Sequence, residues 1–209
     1  MTSGGRVFER IAKRYDLLNS ILSLGQDQNW RRRVARFLPS GRILDLGGGT
    51  GAVNPLFEND ELVTVDPSLE MLALNPVARR VVGAGERLPF EDDSFDGVFS
   101  AYVFRNLDSV PGTLDEIARV LRPGGVAGIV DLGRPRGRIP GLVHRASTGV
   151  VLPLAGGVIG ARDEYSYLHH SLDKLPPPRE MFAGGPLRVQ KIWRMGPLGF
   201  VYGAVLVND

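Results

Sequence analysis

The 209-residue chain contains no cysteine and only three histidines. Without cysteine it has no disulfide framework, no thiolate metal site and no thiol redox chemistry. Three histidines leave little material for a histidine metal centre, so we expect no bound metal. The formal net charge is only +2, although the basic residues are almost all arginine. A net charge this small does not predict binding to nucleic acid.

Long apolar runs are also scarce. The N-terminus from Met1 to Arg6 never becomes an apolar block, so no signal peptide is predicted and the cytoplasm is the expected compartment. Residues 146–161 carry no charge, but Pro153 and two adjacent glycines make this stretch a poor spanning helix. An apolar cap over a hydrophobic pocket is the preferred interpretation, and shallow membrane contact is the alternative. Length and composition fit one domain over residues 1–209.

What the chain does contain is a glycine-rich turn behind a buried strand. Ile43, Leu44 and Leu46 form the apolar run that is typical of a parallel strand covered on both faces. The turn that follows holds four glycines interrupted by one threonine: Gly47, Gly48, Gly49, Thr50 and Gly51. Such a turn, opening a helix at Ala52, lets a nucleotide-like ligand approach backbone N–H groups. A tight turn without a ligand is the alternative.

Two acids place this turn in a cofactor site. A second strand from Leu62 ends at Asp66, about 20 residues after the first, which is the spacing that brings a carboxylate to a ribose hydroxyl. Asp45 lies inside the first strand, and the glycines follow G-x-G-x-G spacing. This resembles the first motif of class I SAM-dependent methyltransferases. The resemblance implies S-adenosylmethionine (SAM) as cofactor, S-adenosylhomocysteine as product, Asp45 near the methionine end, and Asp66 with Pro67 as further contacts.

Two longer segments carry a closer resemblance. The run from Tyr15 to Asn19, followed by Leu22-Ser23 and Trp30-Arg31-Arg32, is similar to the N-terminal signature of the ubiquinone/menaquinone biosynthesis C-methyltransferases. Arg119 to Gly125 matches the second signature of that family throughout. Asp27 stands where the first signature carries a histidine. The resemblance implies an α/β Rossmann-like fold with a seven-stranded, mostly parallel sheet, an antiparallel last strand and N-terminal lid helices.

The coarse layout follows from periodicity and helix breakers. Residues 1–38 are the expected lid, with Tyr15 at the cofactor, and residues 134–175 are a substrate-capping insertion. The helix leading to the first strand should face inward with Trp30, Val34, Phe37 and Leu38 and present its arginines to solvent, with a phosphate or lipid contact as the alternative. A helix after Ala52 is expected to be interrupted early by Asn54-Pro55, and a helix after Asp66 to end at Asn75-Pro76. A further helix is expected from Leu114 to Leu121, and the last two strands at residues 189–193 and 200–207.

The expected adenine contacts depart from the family pattern. Residues 81–90 resemble the third-strand motif whose loop meets the adenine, but Ala84 stands where the family has Asn or Asp. Adenine contacts are therefore expected from the backbone near Gly85 or from Glu86. Ala101 similarly occupies the place of a cofactor-contacting serine.

The candidate catalytic residues follow the fourth strand, where a doubly wound sheet binds its ligands. Arg105 and Asn106 match the active-site dipeptide of the family. Because an arginine does not lose its proton below pH 12, we assign Arg105 to stabilising a phenolate and Asn106 to orienting the ring. Asp27, His169 and Tyr15 are candidate proton acceptors. A surface loop with an ordinary arginine is the alternative.

The resulting hypothesis is SAM-dependent C-methylation of a quinone precursor with a demethylmenaquinone-like ring. The expected partner is a hydrophobic or lipid-like acceptor, bound by a monomer or homodimer with optional peripheral membrane contact. Methylation of another lipid or small molecule stays open, as does a SAM-binding protein without turnover. Nucleic-acid methylation is disfavoured by the small net charge and by the lack of an Asn/Asp-Pro-Pro-Tyr/Phe motif after the fourth strand.

Overall fold

The structure, a computed structural model, describes residues 23, 25–133, 175–196 and 199–209. The strands are β1 (Arg42–Leu46), β2 (Glu61–Asp66), β3 (Arg79–Val82), β4 (Phe95–Ala101), β5 (Leu121–Leu132), β6 (Arg188–Met195) and β7 (Val201–Val207). The helices of the described part are α1 (Asp27–Ala35), α2 (Leu69–Leu74), α3 (Val110–Val120) and α4 (Pro178–Met181), with 3-10 turns at Asn54–Leu56 and Phe104–Asn106. The predictions for Tyr15 and His169 lie outside the described residues.

The seven strands form one sheet in the order β3-β2-β1-β4-β5-β7-β6. Strands β1 to β5 pair in parallel, whereas β7 is antiparallel to both β5 and β6. The predicted seven-stranded, mostly parallel α/β sheet with an antiparallel last strand is confirmed. The strand order reverses between β1 and β4, and in open sheets of this kind the ligand crevice lies beyond the carboxyl ends of the strands at that point.

Alternation along each strand gives the sheet two apolar faces. One face carries Ile43, Phe99 and Val130 and is covered by Trp30 and Val34 of α1. The other carries Leu44, Val98 and Ile129 and is covered by α3, with Phe182 and Leu187 completing the layer. Because both faces are buried, the central strands are mainly apolar, as the sequence of β1 predicts.

The glycine-rich turn does not open an α-helix at Ala52, so that prediction is wrong. The chain passes through turns into the 3-10 turn Asn54–Leu56. Two features oppose an α-helix here. Pro55 has no N–H to donate, and the carbonyl oxygen of Ala52 accepts from Gln28 Nε2 at 3.0 Å. The loop is therefore held partly by α1.

The helix boundaries differ from the predicted ones for physical reasons. α1 ends at Ala35, so Phe37 lies beyond it and is 39% exposed rather than facing inward. α3 begins before Leu114 because the Ser109 hydroxyl accepts from Gly112 N at 3.1 Å and caps the helix at that point. α2 ends before Asn75-Pro76, as predicted.

No helix in the described ranges is long and apolar enough to cross a membrane. No group of three or more histidine, aspartate or glutamate side chains in them is arranged to hold a metal ion.

Candidate functional site

The glycine-rich loop needs glycine for two reasons. Gly47, Gly49 and Gly51 have φ angles of 69°, 51° and 87°, in the left-handed region that glycine adopts without strain. A Cβ at Gly47 would also overlap the side chain of Val103. The loop is anchored to the neighbouring strand by Gly47 N, which donates to Val65 O at 2.8 Å. Its backbone is therefore brought to the carboxyl edge of the sheet without covering side chains.

Asp66, the predicted ribose ligand, lies against this loop at the end of β2. Its Oδ2 accepts from Gly49 N at 3.0 Å and its Oδ1 accepts from Ser68 N at 2.8 Å. Burial raises the pKa of Asp66, and these two backbone hydrogen bonds oppose the shift. Asp66 thus ties the loop to the start of α2, and the predicted pairing of loop and acid is present.

Two asparagines also hold the loop, and sequence reasoning used them only as helix ends. Asn75 Nδ2 donates to Gly49 O at 3.1 Å, and Asn54 Nδ2 donates to Asn75 Oδ1 at 2.9 Å. Each precedes a proline, which marks a turn but does not reveal that the two side chains meet. Gly49 is therefore fixed at both its N–H and its carbonyl group.

Asp45 is a buried acid directly beneath the glycine loop. It is 1% exposed, and neither carboxyl oxygen has a hydrogen-bond partner among the described residues. A Cβ on Gly48 would overlap this carboxylate and the methyl group of Thr64, so the loop lies directly against both. Burial raises the pKa of Asp45 to about 7, the positive charge of Arg31 opposes the shift, and the negative charge of Asp66 adds to it. The carboxyl group thus lacks a donor partner at the point where the resemblance expects the methionine end of a cofactor.

α1 brings a buried ion pair to the same side of the sheet. Arg31 Nη1 donates to Asp27 Oδ2 at 2.7 Å, and Ser23 Oγ donates to Asp27 Oδ1 at 3.2 Å. The Arg31 guanidinium lies 5.1 Å from the centroid of the Tyr102 ring. The prediction that the α1 arginines form a solvated face is therefore wrong for Arg31, which is 4% exposed. Asp27, a candidate proton acceptor from the sequence, uses its carboxylate to hold Arg31.

Arg105 and Asn106 lie in the 3-10 turn that follows β4. Arg105 is buried, and its Nη1 donates to Asp131 Oδ1 at 3.1 Å and to Tyr102 O at 2.9 Å. Asn106 Nδ2 donates to the same carbonyl oxygen at 3.3 Å. The alternative of a surface loop with an ordinary arginine is thereby excluded. Arg105 belongs to a buried hydrogen-bonded group at the carboxyl edge of β4 and β5.

Asp131, near the end of β5, organises this turn and was not singled out from the sequence. Its Oδ2 accepts from Phe104 N at 2.8 Å while its Oδ1 accepts from Arg105. Burial raises the pKa of Asp131, and the charge of Arg105 together with the backbone hydrogen bonds opposes the shift. The available signal was an acid at the end of an otherwise apolar strand, the same signal that identified Asp66.

The expected adenine loop is fixed to α3. Glu86 Oε1 accepts from Asp108 N at 2.8 Å and from Ser109 N at 3.2 Å, so this oxygen serves the start of α3. Glu116 Oε2 accepts from Leu88 N at 2.7 Å and holds the other end of the loop. Of the two sources of adenine contacts left open by the sequence, the backbone near Gly85 fits this geometry better.

Most of the site predicted from the sequence is brought together. The described cofactor-site residues lie in or after the carboxyl ends of β1 to β4: Asp45, Gly47, Gly49, Thr50, Gly51, Asp66, Pro67, Ala84, Gly85, Glu86 and Ala101. Arg105 and Asn106 follow β4, and Asp27 approaches on α1. The arrangement offers a glycine-lined cradle on the β1–β2 side and a fixed cation on the β4–β5 side.

Comparisons with known proteins find methyltransferases along most of the chain. The model of the ubiE/COQ5 methyltransferase family matches residues 2–184. The ubiquinone/menaquinone biosynthesis C-methyltransferase UbiE of Geobacter sulfurreducens is 36% identical over 195 residues, covering 85% of this chain and 76% of the relative. The demethylmenaquinone methyltransferase of Thermus thermophilus is 37% identical over 193 residues, covering 85% and 88%. A SAM-dependent methyltransferase structure from Thermotoga maritima, described as a possible histamine N-methyltransferase, superposes with a TM-score of 0.67 at 17% identity over 98% of this chain and 99% of that one, which supports the fold.

Proposed function

Because the chain belongs to the ubiE/COQ5 methyltransferase family, we propose that it methylates a ring carbon of a quinone precursor, with a demethylmenaquinone-like ring as the acceptor. The enzyme is a SAM-dependent methyltransferase, so the predicted family, enzyme class and cofactor are confirmed. This acceptor is supported by the names of two relatives, which are 36% and 37% identical to this chain over most of their own length.

The residues at the carboxyl edge fit SAM. The glycine loop leaves its backbone uncovered, Asp66 lies against Gly49, and the carboxyl group of Asp45 is buried without a described donor. Burying a carboxylate without a hydrogen-bond donor is costly, so a cationic group of the cofactor is the natural complement. In this proposal Asp66 binds the ribose, Asp45 faces the methionine end, and the backbone near Gly85 contacts the adenine.

When bound, SAM supplies a methyl group carried on a positively charged sulfur. The acceptor carbon becomes nucleophilic once a ring hydroxyl has lost its proton, so the site needs a stabiliser of the phenolate. Arg105 keeps its charge at all working pH values and is suited to that task rather than to proton abstraction. The two hydrogen bonds that Asp131 accepts, from Arg105 Nη1 and from Phe104 N, fix the turn that carries Arg105, which favours a defined approach of the ring.

The acceptor also bears on where the enzyme works. A hydrophobic quinone precursor favours peripheral contact with a membrane, with residues 1–38 as a lid and residues 134–175 as a cap over the acceptor. Their roles, and that of His169 as a proton acceptor, remain part of the proposal, as does a monomeric or homodimeric state.

The test is methyl transfer from labelled SAM to a short-tailed demethylmenaquinone in its reduced and oxidised forms. We expect labelled methyl on the ring of the reduced form only, since the oxidised ring has no hydroxyl to ionise. Arg33→Ala, which changes an exposed arginine, should leave turnover unchanged. Label in another lipid of a membrane extract, but none in the quinol, would replace this acceptor. SAM binding without label in any acceptor would indicate a binding protein instead.

A further inference from the structure

Tyr202, near the start of β7, is a buried phenol that no step of the proposed reaction uses. The residue is 1% exposed, and its hydroxyl oxygen has no hydrogen-bond partner among the described residues. Buried polar atoms in folded proteins are almost always hydrogen-bonded, so a hydroxyl without a partner in the unliganded protein is suited to a ligand that enters the site.

Strand pairing places Tyr202 on the acceptor side of the site. Tyr202 is the register partner of Asp131 in the antiparallel pair of β5 and β7. Side chains directly opposite each other in such a pair project from the same face, so the phenol lies beside the carboxylate that holds Arg105. A Cβ on Gly133 would lie 3.5 Å from Tyr202 Cδ1, and Gly133 is the last described residue before the predicted capping insertion. Tyr202 is therefore next to both the Arg105 turn and the start of that insertion.

Aromatic packing fixes the Tyr202 ring to the same turn. The ring of Phe182 lies 6.3 Å from that of Tyr202 and 5.8 Å from that of Phe104, centroid to centroid, with both pairs edge-on. Phe104 directly precedes Arg105, and its backbone N–H donates to Asp131. The phenol and the guanidinium are thus held by one set of contacts, as the alignment of reacting groups requires.

The charges around Tyr202 keep its hydroxyl protonated. Burial and the negative charge of Asp131 raise the pKa of Tyr202 well above its ordinary value, and the positive charges of Arg194 and Arg105 oppose the shift. At working pH the group is therefore a neutral donor and not a base. Asp131 does not take this proton in a hydrogen bond, because its two oxygens already accept from Arg105 and from backbone N–H groups.

We propose that the Tyr202 hydroxyl donates a hydrogen bond to the acceptor oxygen that Arg105 stabilises as a phenolate, and is a second catalytic residue on the acceptor side. The inference rests on the proposed function, since it assumes a ring acceptor that reacts as a phenolate. Arg105 and Asp131 neutralise each other, so Arg105 alone offers this anion little net positive charge. A neutral donor is not offset by an acid in this way, and its bond to a charged oxygen is stronger than one to a neutral group.

The test uses Tyr202→Phe, which removes only the hydroxyl group. With labelled SAM and reduced short-tailed demethylmenaquinone at pH 7, turnover should fall about 10- to 100-fold, the scale of one hydrogen bond to a charged group. SAM affinity in calorimetry and the midpoint of urea unfolding should match wild type, since the hydroxyl has no described partner in the unliganded protein. Thr113→Val removes another buried hydroxyl without a described partner, on α3, and is the matched control. Its turnover should stay within about threefold of wild type.

The dependence of turnover on pH distinguishes a donor to the phenolate from a residue that only shapes the pocket. Such a donor lowers the apparent pKa of the bound acceptor, because it stabilises the ionised form. In Tyr202→Phe the pH of half-maximal turnover should therefore rise by about 1–2 pH units, which corresponds to the expected loss of about 10- to 100-fold. The deficit relative to wild type should shrink as the pH rises.

Each other outcome contradicts the inference. Unchanged turnover in Tyr202→Phe, or a deficit of the same size at every pH, would overturn the assignment. A loss of stability or of SAM affinity in step with turnover would show that the hydroxyl supports the fold. A wild-type protein that transfers no label to the quinol would instead refute the proposed function, and with it the acceptor oxygen assigned to Tyr202.

Discussion

Replacing Asp45 by asparagine should stabilise the unliganded protein at neutral and alkaline pH. Burial raises the pKa of this carboxyl group from 3.8 to about 7 in the folded protein, whereas the unfolded chain keeps the ordinary value. The folded state therefore holds the proton more tightly than the unfolded state. As the pH rises from about 4 to about 7, the free energy of unfolding falls, because the unfolded chain loses this proton while the folded state still holds it.

The size of the effect follows from the separation of the two pKa values. At roughly 1.4 kcal/mol per unit of pKa, it amounts to about 4 kcal/mol once the pH is above the folded-state pKa. At about pH 4 the acid is protonated in the folded state and only about half ionised in the unfolded state, so the contribution is below about 1 kcal/mol. Asparagine has nearly the shape of the protonated acid and no charge to bury, so it should remove most of this penalty.

Urea unfolding followed by tryptophan fluorescence can measure this change, since Trp30 is buried in the core between the sheet and α1 and Trp193 packs against that core. The variant should gain about 4 kcal/mol over wild type near pH 8 and little near pH 4. Asp66 and Asp131 also have raised pKa values, but both proteins contain them and their contributions largely cancel. A gain of equal size at both pH values would mean that asparagine acts through packing. A loss near pH 8 would mean that the ionised carboxylate has a stabilising partner, and the reasoning would fail.

The remaining predictions concern the cofactor and the acceptor side of the site. Asp66→Ala should weaken SAM binding by about 1.5–3 kcal/mol in calorimetry, by loss of the ribose contact and of the bond to Gly49; unchanged affinity would exclude the assignment. Ala84→Asn should tighten SAM by about 0.5–1.5 kcal/mol, and no gain would indicate that the backbone already satisfies the adenine. Arg105→Ala should lower turnover about 10²- to 10³-fold with little change in SAM affinity, and Arg105→Lys should retain part of the rate. Arg105→Ala should also destabilise the fold by about 3–5 kcal/mol, because it leaves the buried Asp131 carboxylate without its cation. The double variant Arg105→Ala/Asp131→Asn should therefore regain stability in urea unfolding but not activity. Recovered activity would make Arg105 purely structural.

The parts of the fold that sequence reasoning obtained correctly are those specified by short segments. The apolar run of β1, the glycine loop and Asp66 at the end of β2 form one local pattern of strand, turn and strand with a fixed spacing, so each part predicts the next. The break at Asn75-Pro76 is equally local. The family match over residues 2–184 covers these same segments.

The errors arise where distant segments decide the outcome. Arg31 was assigned to solvent because three successive arginines resemble a charged helix face, but it meets Tyr102 from the far end of β4. The helix expected at Ala52 is opposed by Pro55 and by a hydrogen bond from Gln28, 24 residues earlier. In both places the local sequence is compatible with either outcome, and a contact with a distant segment decides which one forms.

Tyr102 links the two halves of the site, and its backbone conformation fits that position. Its ring supports Arg31 on the cofactor side, and its carbonyl oxygen accepts from Arg105 on the acceptor side. Tyr102 has a φ of 64°, a conformation that a bulky residue adopts only at a cost of about 1–3 kcal/mol. Buried acids hold the two arginines, Asp27 on α1 and Asp131 on β5. Two buried arginines thus contact one strained residue, Arg31 at its ring and Arg105 at its carbonyl oxygen.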